Sequence, residues 1–315
     1  MSPGDPSESM TSSPAARIVE LTHRFGSRLA LDRISFDVEG GTVFGLLGPN
    51  GGGKTTLFRI LATLLRPDGG EAFVDGASVL KDADRVRGAI GVVFQRPALD
   101  GKLTVGENLW AQGRLYGMGG QRLTSRMADV LARFRIEDRR GERVERLSGG
   151  LQRRVELAKA MLHGPRVLLM DEPSSGLDPG ARADLMAAIH ELRDRDGVTT
   201  LLTTHLMDEA DRCDRVAIID AGALVVLDSP AALKQSFGGD VLRLTGARPE
   251  EIASRLRERF GGCVNVVDGV VRMERDRGHE LVPQVIEALP GLVDSVTVGR
   301  PTLEDVFLRL TGHRL

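Results

Sequence analysis

Apolar residues along this chain fall into two kinds of pattern, short runs and longer segments of helical spacing. The runs at residues 42–47, 167–170 and 199–203 are rich in apolar and β-branched residues, which is typical of strands covered on both faces. Segments such as residues 55–65 place apolar residues three or four positions apart, which predicts helices. Strands separated by helices predict an α/β fold whose parallel sheet has helices on its faces.

Weaker patterns extend this main domain, which we predict over residues 17–234. Residues 18–21 and 34–38 are predicted strands, the second half-buried because its apolar and polar residues alternate. Residues 97–163 have mostly helical spacing, so we interpret them as a helical insertion. Residues 216–227 predict two strands joined by a tight turn, which closes the domain.

A second series of predicted strands and helices begins near residue 235. The predicted elements are strand 241–245, helix 249–260, strands 264–267 and 270–273, helix 280–289, strand 292–298, and a last helix that Thr302 and Asp305 begin as a capping box. This order predicts a small α+β domain of ferredoxin-like type over residues 235–315. At the other end of the chain, residues 1–16 are mainly Ser, Pro, Gly, Ala and acidic residues, which predicts a disordered tail.

Charge and composition exclude several classes of protein. The 42 Lys and Arg residues against 44 Asp and Glu residues leave a formal net charge of −2, so no nucleic-acid partner is expected. No stretch approaches the ~20 consecutive apolar residues of a membrane-spanning helix, and the first residues lack the pattern of a secretory signal. Cys213 and Cys263 have no second Cys or His at metal-binding spacing, which argues against a zinc or disulfide scaffold. We therefore expect a cytoplasmic protein.

A glycine-rich segment after the first apolar run has the spacing of a phosphate-binding loop. Its residues are Gly48, Pro49, Asn50, Gly51, Gly52, Gly53, Lys54 and Thr55, followed by Thr56, and they match G-x-x-x-x-G-K-[ST]. Glycines let successive backbone N–H groups converge on phosphates, and the helix N-terminus adds partial positive charge. Lys54 is predicted to reach the β- and γ-phosphates, and the Thr55 hydroxyl to bind Mg²⁺.

Two carboxylates follow the second apolar run. Asp171 and Glu172 lie directly after residues 167–170. We expect Asp171 to hold Mg²⁺, directly or through water, and Glu172 to polarise an attacking water. An acidic pair before a proline also caps helices, but the phosphate loop favours nucleotide hydrolysis here.

With the segment Leu147-Ser148-Gly149-Gly150 upstream of Asp171, the chain resembles the nucleotide-binding subunit of an ABC transporter. The resemblance implies a P-loop NTPase domain of the ABC type, with an antiparallel β subdomain and a helical subdomain. It also implies ATP and Mg²⁺ as cofactors. Lys54, Gln95, Glu172 and His205 are then the catalytic residues.

The same resemblance assigns further roles. Phe25 is expected to stack on adenine, Gln95 to bind Mg²⁺ and sense the γ-phosphate, and His205 to contact the γ-phosphate. The signature residues Ser148, Gly149 and Gly150, and the D-loop that ends in Asp178, are expected to bind the ATP held by a second subunit in a head-to-tail dimer. Leu151 occupies the fifth signature position, with Gln152 one place later.

The C-terminal segment narrows the resemblance. Residues 301–307, after a small α+β domain, resemble the accessory domain of bacterial drug-exporter ATPases of the daunorubicin-resistance type. Another interpretation is an ordinary amphipathic helix whose apolar residues pack on the sheet; these are Leu303, Val306, Phe307 and Leu310.

The resemblance implies an ATPase on the cytoplasmic face of the membrane, which energises a separately encoded permease, most simply as a homodimer and for export. A soluble ABC ATPase and a nucleotide-dependent regulatory module are the alternatives from other classes, and an importer subunit also stays open. The transported compound is not encoded in these residues, because transport specificity lies in the permease.

Overall fold

The structure of the chain is a computed structural model that describes residues 13–236, 239–262 and 264–313. Residues 1–12 of the predicted tail, like Cys263, lie outside the described residues. The prediction that the tail reaches residue 16 is wrong, because Ala16 is buried as the first residue of a strand. Its small side chain packs where the backbone pairs with Val38 on one side and Val74 on the other.

The strands and helices are numbered in chain order. The first part of the chain contains β1 (Ala16–Phe25), β2 (Arg28–Val38), β3 (Val43–Leu47), α1 (Lys54–Leu61), β4 (Gly69–Val74), β5 (Ala77–Ser78), α2 (Ala83–Ala89) and β6 (Ile90–Val93). The middle contains α3 (Val105–Leu115), α4 (Gly120–Arg133), α5 (Gly149–Met161), β7 (Val167–Asp171), α6 (Pro179–Asp196), β8 (Thr199–Thr204), α7 (Met207–Ala210), β9 (Arg215–Asp220), β10 (Ala223–Asp228) and α8 (Pro230–Gln235). The last part contains β11 (Asp240–Thr245), α9 (Pro249–Phe260), β12 (Val264–Val267), β13 (Val270–Arg275), α10 (Gly278–Ala288), β14 (Ser295–Gly299) and α11 (Leu303–Thr311). None of the helices in these described ranges combines the length and the apolar character that a bilayer span requires.

The largest sheet has the strand order β10-β9-β3-β8-β7-β6. Its strands run parallel except β10, which returns antiparallel to β9. Every residue of β3, β7 and β8 is buried, as the apolar runs predict for strands covered on both faces. Because parallel strands end at the same edge of a sheet, the loops after β3, β7 and β8 lie together there.

Two further layers cover the faces of this sheet. The antiparallel sheet β2-β1-β4-β5 shares one apolar core with α1 and one face of the main sheet. Helices α3, α4 and α5 share a second core with the other face. These layers are the antiparallel β subdomain and the helical subdomain that the resemblance implies.

Helix α1 ends one turn earlier than its spacing predicts. Thr63 has a left-handed φ of 60°, and Leu64 beyond it is 59% exposed. Pro67 follows, and a proline commonly lies just after the end of a helix because it cannot continue the hydrogen-bond pattern. The predicted helix over residues 55–65 is therefore wrong in its last turn.

The C-terminal sheet has the strand order β12-β13-β11-β14 with every neighbouring pair antiparallel. In chain order these are the second, third, first and fourth strands, which is the arrangement of a ferredoxin-like sheet. Helices α9 and α10 cover one face and share its apolar core. The predicted element order is thus confirmed, although the last strand begins at Ser295 rather than at residue 292.

The last helix, α11, begins at the predicted capping box. Asp305 N donates to Thr302 Oγ1 at 3.3 Å, and Thr302 N donates to Asp305 Oδ2 at 2.9 Å. Three apolar side chains of α11 do not pack on the C-terminal sheet; Leu303, Val306 and Phe307 join the core of the main domain beside α7 and α8. Leu310 is exposed. The interpretation that these residues pack on the sheet is wrong, because the sheet presents charged residues on that side.

Candidate nucleotide-binding site

The phosphate loop connects β3 to α1, and the close approach of neighbouring backbone makes glycine necessary at two of its positions. A Cβ atom on Gly48 would lie 2.0 Å from the carbonyl oxygen of Ile219 in β9. Gly53 has φ of 112°, and a Cβ atom there would lie 2.6 Å from the carbonyl oxygen of Ala30 in β2. The glycines thus let the loop lie directly on two strands.

Lys54 is buried under this loop. Its Nζ donates to the carbonyl oxygen of Gly48 at 2.7 Å and to that of Pro49 at 3.0 Å. Gly52 N also donates to Pro49 O at 3.0 Å, which closes the loop around the ammonium group. Burial lowers the pKa of Lys54, while Glu172 and Asp171 act in the opposite direction.

Asp171 lies at the end of β7, next to the hydroxyl of Thr55. Thr55 Oγ1 donates to Asp171 Oδ1 at 3.3 Å, and Thr203 Oγ1 donates to the same oxygen at 2.6 Å. Neither bond uses Oδ2 of Asp171. Hydroxyl and carboxylate oxygens are the ligands that Mg²⁺ prefers, so the donor set at this position fits that ion.

Glu172 is held by the two residues that were predicted to act with it. Gln95 Nε2 donates to Glu172 Oε2 at 2.9 Å, and His205 Nδ1 lies 3.5 Å from Glu172 Oε1. The Glu172 backbone has a left-handed φ of 44°, and Glu172 N donates to Thr203 Oγ1 at 2.9 Å. A non-glycine residue in this conformation is strained. Sequence reasoning missed Thr203, because a threonine inside a buried strand carries no distinguishing signal.

Phe25 lies at the mouth of a cleft of about 140 Å³ beside the loop. Its ring is 49% exposed and meets His23 edge-on, with ring centroids 4.6 Å apart. The cleft is lined by Phe25, Arg28, Ala30, Asn50, Gly51, Gly53, Lys54, Thr55, Thr56 and Glu172. Sequence reasoning missed Arg28, whose Nη2 donates to Gly51 O at 2.7 Å, because one arginine among many gives no signal.

The signature residues lie at the start of α5 and line a different cleft. Ser148 caps this helix, since its Oγ accepts from Leu151 N at 3.4 Å. Asp178 caps α6 in the same way, accepting from Ala181 N at 2.9 Å. Both helix starts border a cleft of about 500 Å³, whose lining includes Gly149 and Gly150 but shares no residue with the cleft at the phosphate loop.

Arg153 connects the signature helix to the segment that carries Gln95. The Arg153 side chain is buried, and its Nη1 donates to Phe94 O at 2.9 Å and to Glu156 Oε2 at 2.7 Å, while Nη2 donates to Gln95 O at 3.3 Å. Burial lowers the pKa of Arg153 and raises that of Glu156. Sequence reasoning missed this pair, although opposite charges three residues apart on a helix are a usable signal.

Two other side chains have structural roles at the site. Gln152 Nε2 donates to the carbonyl oxygens of Val144 and Leu147, at 3.2 Å and 3.0 Å, so it holds the segment before the signature. Glu209 of α7 is buried and accepts from Thr204 Oγ1 at 2.6 Å and from the Ser174 hydroxyl. It thereby connects the loop that carries His205 to the loop that follows Glu172.

Comparison with known sequences agrees with this geometry. Residues 31–175 match the family model described as ABC transporter. Daunorubicin resistance ATP-binding protein DrrA2 from Streptomyces coeruleorubidus is 39% identical over 313 residues, covering 95% of this chain and 96% of that protein. Nod factor export ATP-binding protein I from Rhizobium sp. (strain N33) is 39% identical over 293 residues, covering 92% of this chain and 95% of that protein.

Solved structures show the same fold. The structure of cbiO1 from Clostridium perfringens, part of the ABC transporter complex cbiONQ, covers 79% of this chain and 96% of its own, with a TM-score of 0.65 and 26% identity. The dimeric post-hydrolysis structure of the ATP-binding cassette MJ0796, bound to ADP and Pi, covers 68% of this chain and 98% of its own, with a TM-score of 0.61 and 27% identity.

Proposed function

This chain belongs to the family of ABC transporter ATP-binding proteins and is an ATPase, and from that premise we propose that it powers a separately encoded permease that exports a drug or another hydrophobic compound. Two observations support export. The chain covers nearly the full length of relatives whose names refer to daunorubicin resistance and Nod factor export. It also has the ferredoxin-like C-terminal sheet in addition to the cassette.

The proposal gives each group at the phosphate loop a role. The loop amides and Lys54 bind the phosphates, with Phe25 on the adenine ring. Thr55, Asp171 and Gln95 hold Mg²⁺, which supplies charge neutralisation when bound. Glu172 polarises the attacking water and His205 contacts the γ-phosphate. The observation that carries these roles is the contact of Gln95 and His205 with the two carboxylate oxygens of Glu172.

The proposal includes a second copy of the chain. Ser148, Gly149 and Gly150 line a cleft of their own together with Asp178, so we place the partner's nucleotide between that cleft and the partner's phosphate loop. A relative of the same fold is dimeric in its post-hydrolysis structure. We propose that ATP binding closes the dimer and that hydrolysis releases it.

An exposed apolar surface supports a membrane partner. Trp110 and Leu115 of α3 are 56% and 83% exposed, and Tyr116 next to them is also exposed. Large apolar side chains exposed near one end of a helix occur at protein–protein contacts, where a partner covers them. We propose that this surface receives the permease and keeps the ATPase, residues 17–234, on the cytoplasmic face of the membrane, with residues 235–315 as an accessory domain.

The role of Glu172 is tested by Glu172→Gln. Because the amide cannot accept a proton, we expect ATP hydrolysis to fall by about 10²–10⁴-fold, with ATP binding retained. The matched control is Glu191→Gln on α6, which removes an acid that pairs with Arg195 at 2.6 Å and leaves the rate unchanged. Hydrolysis by Glu172→Gln at the wild-type rate contradicts the role of Glu172.

The permease surface is tested by Trp110→Asp. In cells that contain the natural permease, we expect this variant to leave the membrane fraction while the purified protein keeps its basal ATPase rate, because α3 is outside the nucleotide clefts. Trp110→Phe is the control and stays with the membranes. Equal membrane association of wild type and Trp110→Asp contradicts this surface, and absence of any membrane association favours the soluble ABC ATPase.

A further inference from the structure

The end of β1 that carries Phe25 extends beyond one of its neighbours in the antiparallel sheet. In the described part of the chain, β4 pairs with β1 only as far as Thr22, whereas β2 pairs with it through Phe25. The register between β1 and β2 also shifts between His23 and Arg24. Because a two-stranded ribbon is only marginally stable by itself, the position of the Phe25 ring depends on further contacts.

Asp68, directly before β4, takes the place of a strand neighbour beyond Thr22. Asp68 N donates to Thr22 O at 2.9 Å, and Asp68 Oδ2 accepts from Arg24 N at 2.7 Å. A carboxylate forms a stronger hydrogen bond with a backbone N–H than a neutral acceptor does. Asp68 therefore fixes the backbone on both sides of His23, next to Phe25.

Asp68 also connects this strand to the helix that starts at the phosphate loop. The segment between α1 and Asp68 folds back on that helix, since Leu65 N donates to Arg59 O at 3.1 Å. The hydrogen bond from Arg24 N to Asp68 thus fixes the distance between the strand that carries the aromatic ring and the helix that begins with the phosphate-binding residues.

His23 is buried against the Phe25 ring. The two ring centroids lie 4.6 Å apart with the ring planes at 81°, an edge-on arrangement that attracts. Neither ring nitrogen of His23 has a hydrogen-bond partner among the described residues, although Nδ1 lies 3.4 Å from Asp68 Oδ2. A buried polar group without hydrogen bonds costs stability; what the His23 ring provides is its contact with Phe25.

We propose that His23 and Asp68 position the Phe25 ring for stacking on adenine, an inference that rests on the proposed role of Phe25. Asp68 holds the strand that carries the ring, and His23 limits the rotation of the ring. The Phe25 side chain is half-exposed at the mouth of the nucleotide cleft, so without these contacts it would sample several rotamers. Ordering the ring in advance removes an entropy cost from nucleotide binding.

Neither His23 nor Asp68 lines the nucleotide cleft, so both are positioning residues. The test is isothermal titration of the full chain with ADP in the presence of Mg²⁺. We expect Phe25→Ala to weaken ADP binding about tenfold, and His23→Ala to weaken it about threefold or more. The rate of ATP hydrolysis at saturating ATP should stay unchanged in His23→Ala, because the groups around the phosphates are not altered.

Variants of Asp68 provide a matched pair. Asp68→Ala removes the acceptor of Arg24 N and is expected to weaken ADP binding about threefold or more, whereas Asp68→Asn keeps an acceptor oxygen and should stay close to wild type. Asp37→Ala is the control, because it removes an exposed carboxylate of the same sheet, paired with Arg17 at 3.1 Å, and should leave ADP affinity unchanged.

Double variants separate positioning from a general effect on the fold. In a Phe25→Ala background, His23→Ala and Asp68→Ala should each leave ADP affinity unchanged, because no ring is left to position. If His23→Ala does not fold, Asp68→Ala still decides the outcome, since the Asp68 side chain is exposed and its loss leaves no cavity.

The outcomes distinguish this inference from the proposed function. If Phe25→Ala weakens ADP binding, wild-type affinity in the folded His23→Ala or Asp68→Ala variant overturns the inference for that residue, while the role of Phe25 stands. Equal losses with and without the Phe25 ring also overturn it, because the two residues then act on the fold. Wild-type ADP affinity in Phe25→Ala contradicts the stacking role in the proposed function and overturns this inference with it.

Discussion

The phosphate loop and the signature segment are both glycine-rich helix starts, but their surroundings differ. At the phosphate loop, the ammonium group of Lys54 and the carboxylates of Asp171 and Glu172 lie together and are bonded to neighbouring groups. At the signature segment, Ser148 caps its own helix beside Asp178, in a cleft with a different lining. In the proposed function, the first region supplies the charged groups that bind the nucleotide, whereas the second supplies donors at a helix N-terminus.

Among the variants that distinguish the phosphate loop from the signature segment, Gly149→Asp is expected to have the largest effect on ATP hydrolysis. The new carboxylate repels the partner's nucleotide, so hydrolysis should fall by roughly 10²–10³-fold, while ATP binding to the monomer stays unchanged. The fold tolerates this change, because a Cβ atom on Gly149 meets only Leu177 Cδ2, at 3.8 Å, and an acidic residue stabilises a helix start.

Fluorescent-nucleotide titration and a steady-state hydrolysis assay measure these two effects separately. Gly149→Ala, which adds a methyl group without charge, is the control and should hydrolyse ATP nearly normally. Loss of ATP binding by the Gly149→Asp monomer would show that the signature segment belongs to the nucleotide site of its own chain.

A second prediction concerns the connection between the regions. Arg153→Met removes the guanidinium that the buried Glu156 pairs with at 2.7 Å, so the free energy of unfolding should fall by about 3–5 kcal/mol. Arg153→Met with Glu156→Met replaces both charges by apolar groups and should recover most of that stability. Urea denaturation measures both variants.

In the double variant, we expect the free energy of unfolding to recover while the catalytic rate does not. Because Arg153 also holds the backbone of Phe94 and Gln95, we expect kcat to stay low while KM for ATP changes little. A double variant that regains both stability and kcat would show that Arg153 serves only the fold of the helical subdomain.

The smallest effect is a pH dependence of ATP binding. Burial lowers the pKa of Lys54 below its usual value of 10.5, so Lys54 loses its proton earlier than an exposed lysine as pH rises. ATP affinity should therefore decrease as pH rises above the pKa of Lys54 in the nucleotide-free protein. The stability contribution has the opposite sign: burying the charged lysine costs stability below the folded pKa, and that cost is relieved as pH rises.

Titration of ATP affinity against pH measures this effect, with Lys54→Arg as the control. Arginine stays charged through this range, so the pH dependence assigned to Lys54 should vanish in that variant. An identical pH profile in the two proteins would show that Lys54 does not titrate in this window.

Much of this fold can be predicted from local sequence patterns, because the residues that form one strand or one helix are close together in the sequence. The buried runs predict β3, β7 and β8, and helical spacing predicts the helical segment. The weakly patterned elements β4, β6 and α2 were not predicted, since short strands and a seven-residue helix carry little periodicity. The position of α11 also escaped prediction, because its apolar face looks the same whichever domain it packs against.

The candidate site likewise contains residues that the sequence predicts and residues that it does not. The family resemblance assigns Gln95 and His205 to the same site as Glu172, and the structure places the three residues in contact. Their catalytic roles stay predictions. Thr203 and Arg153 act through contacts between segments distant in sequence. Such contacts leave no local pattern, so only the folded chain reveals them.

The central claim is that one nucleotide site combines the phosphate loop of one chain with the signature segment of another. The most direct measurement mixes two inactive variants, Lys54→Ala and Gly149→Asp, and follows ATP hydrolysis. In a head-to-tail dimer of the two, one site pairs the intact loop of the Gly149→Asp chain with the intact signature of the Lys54→Ala chain. We predict that hydrolysis, which is strongly reduced in each variant alone, increases on mixing. A mixture that stays as inactive as its components, although an affinity tag on one variant co-purifies the untagged other variant, would contradict the shared site.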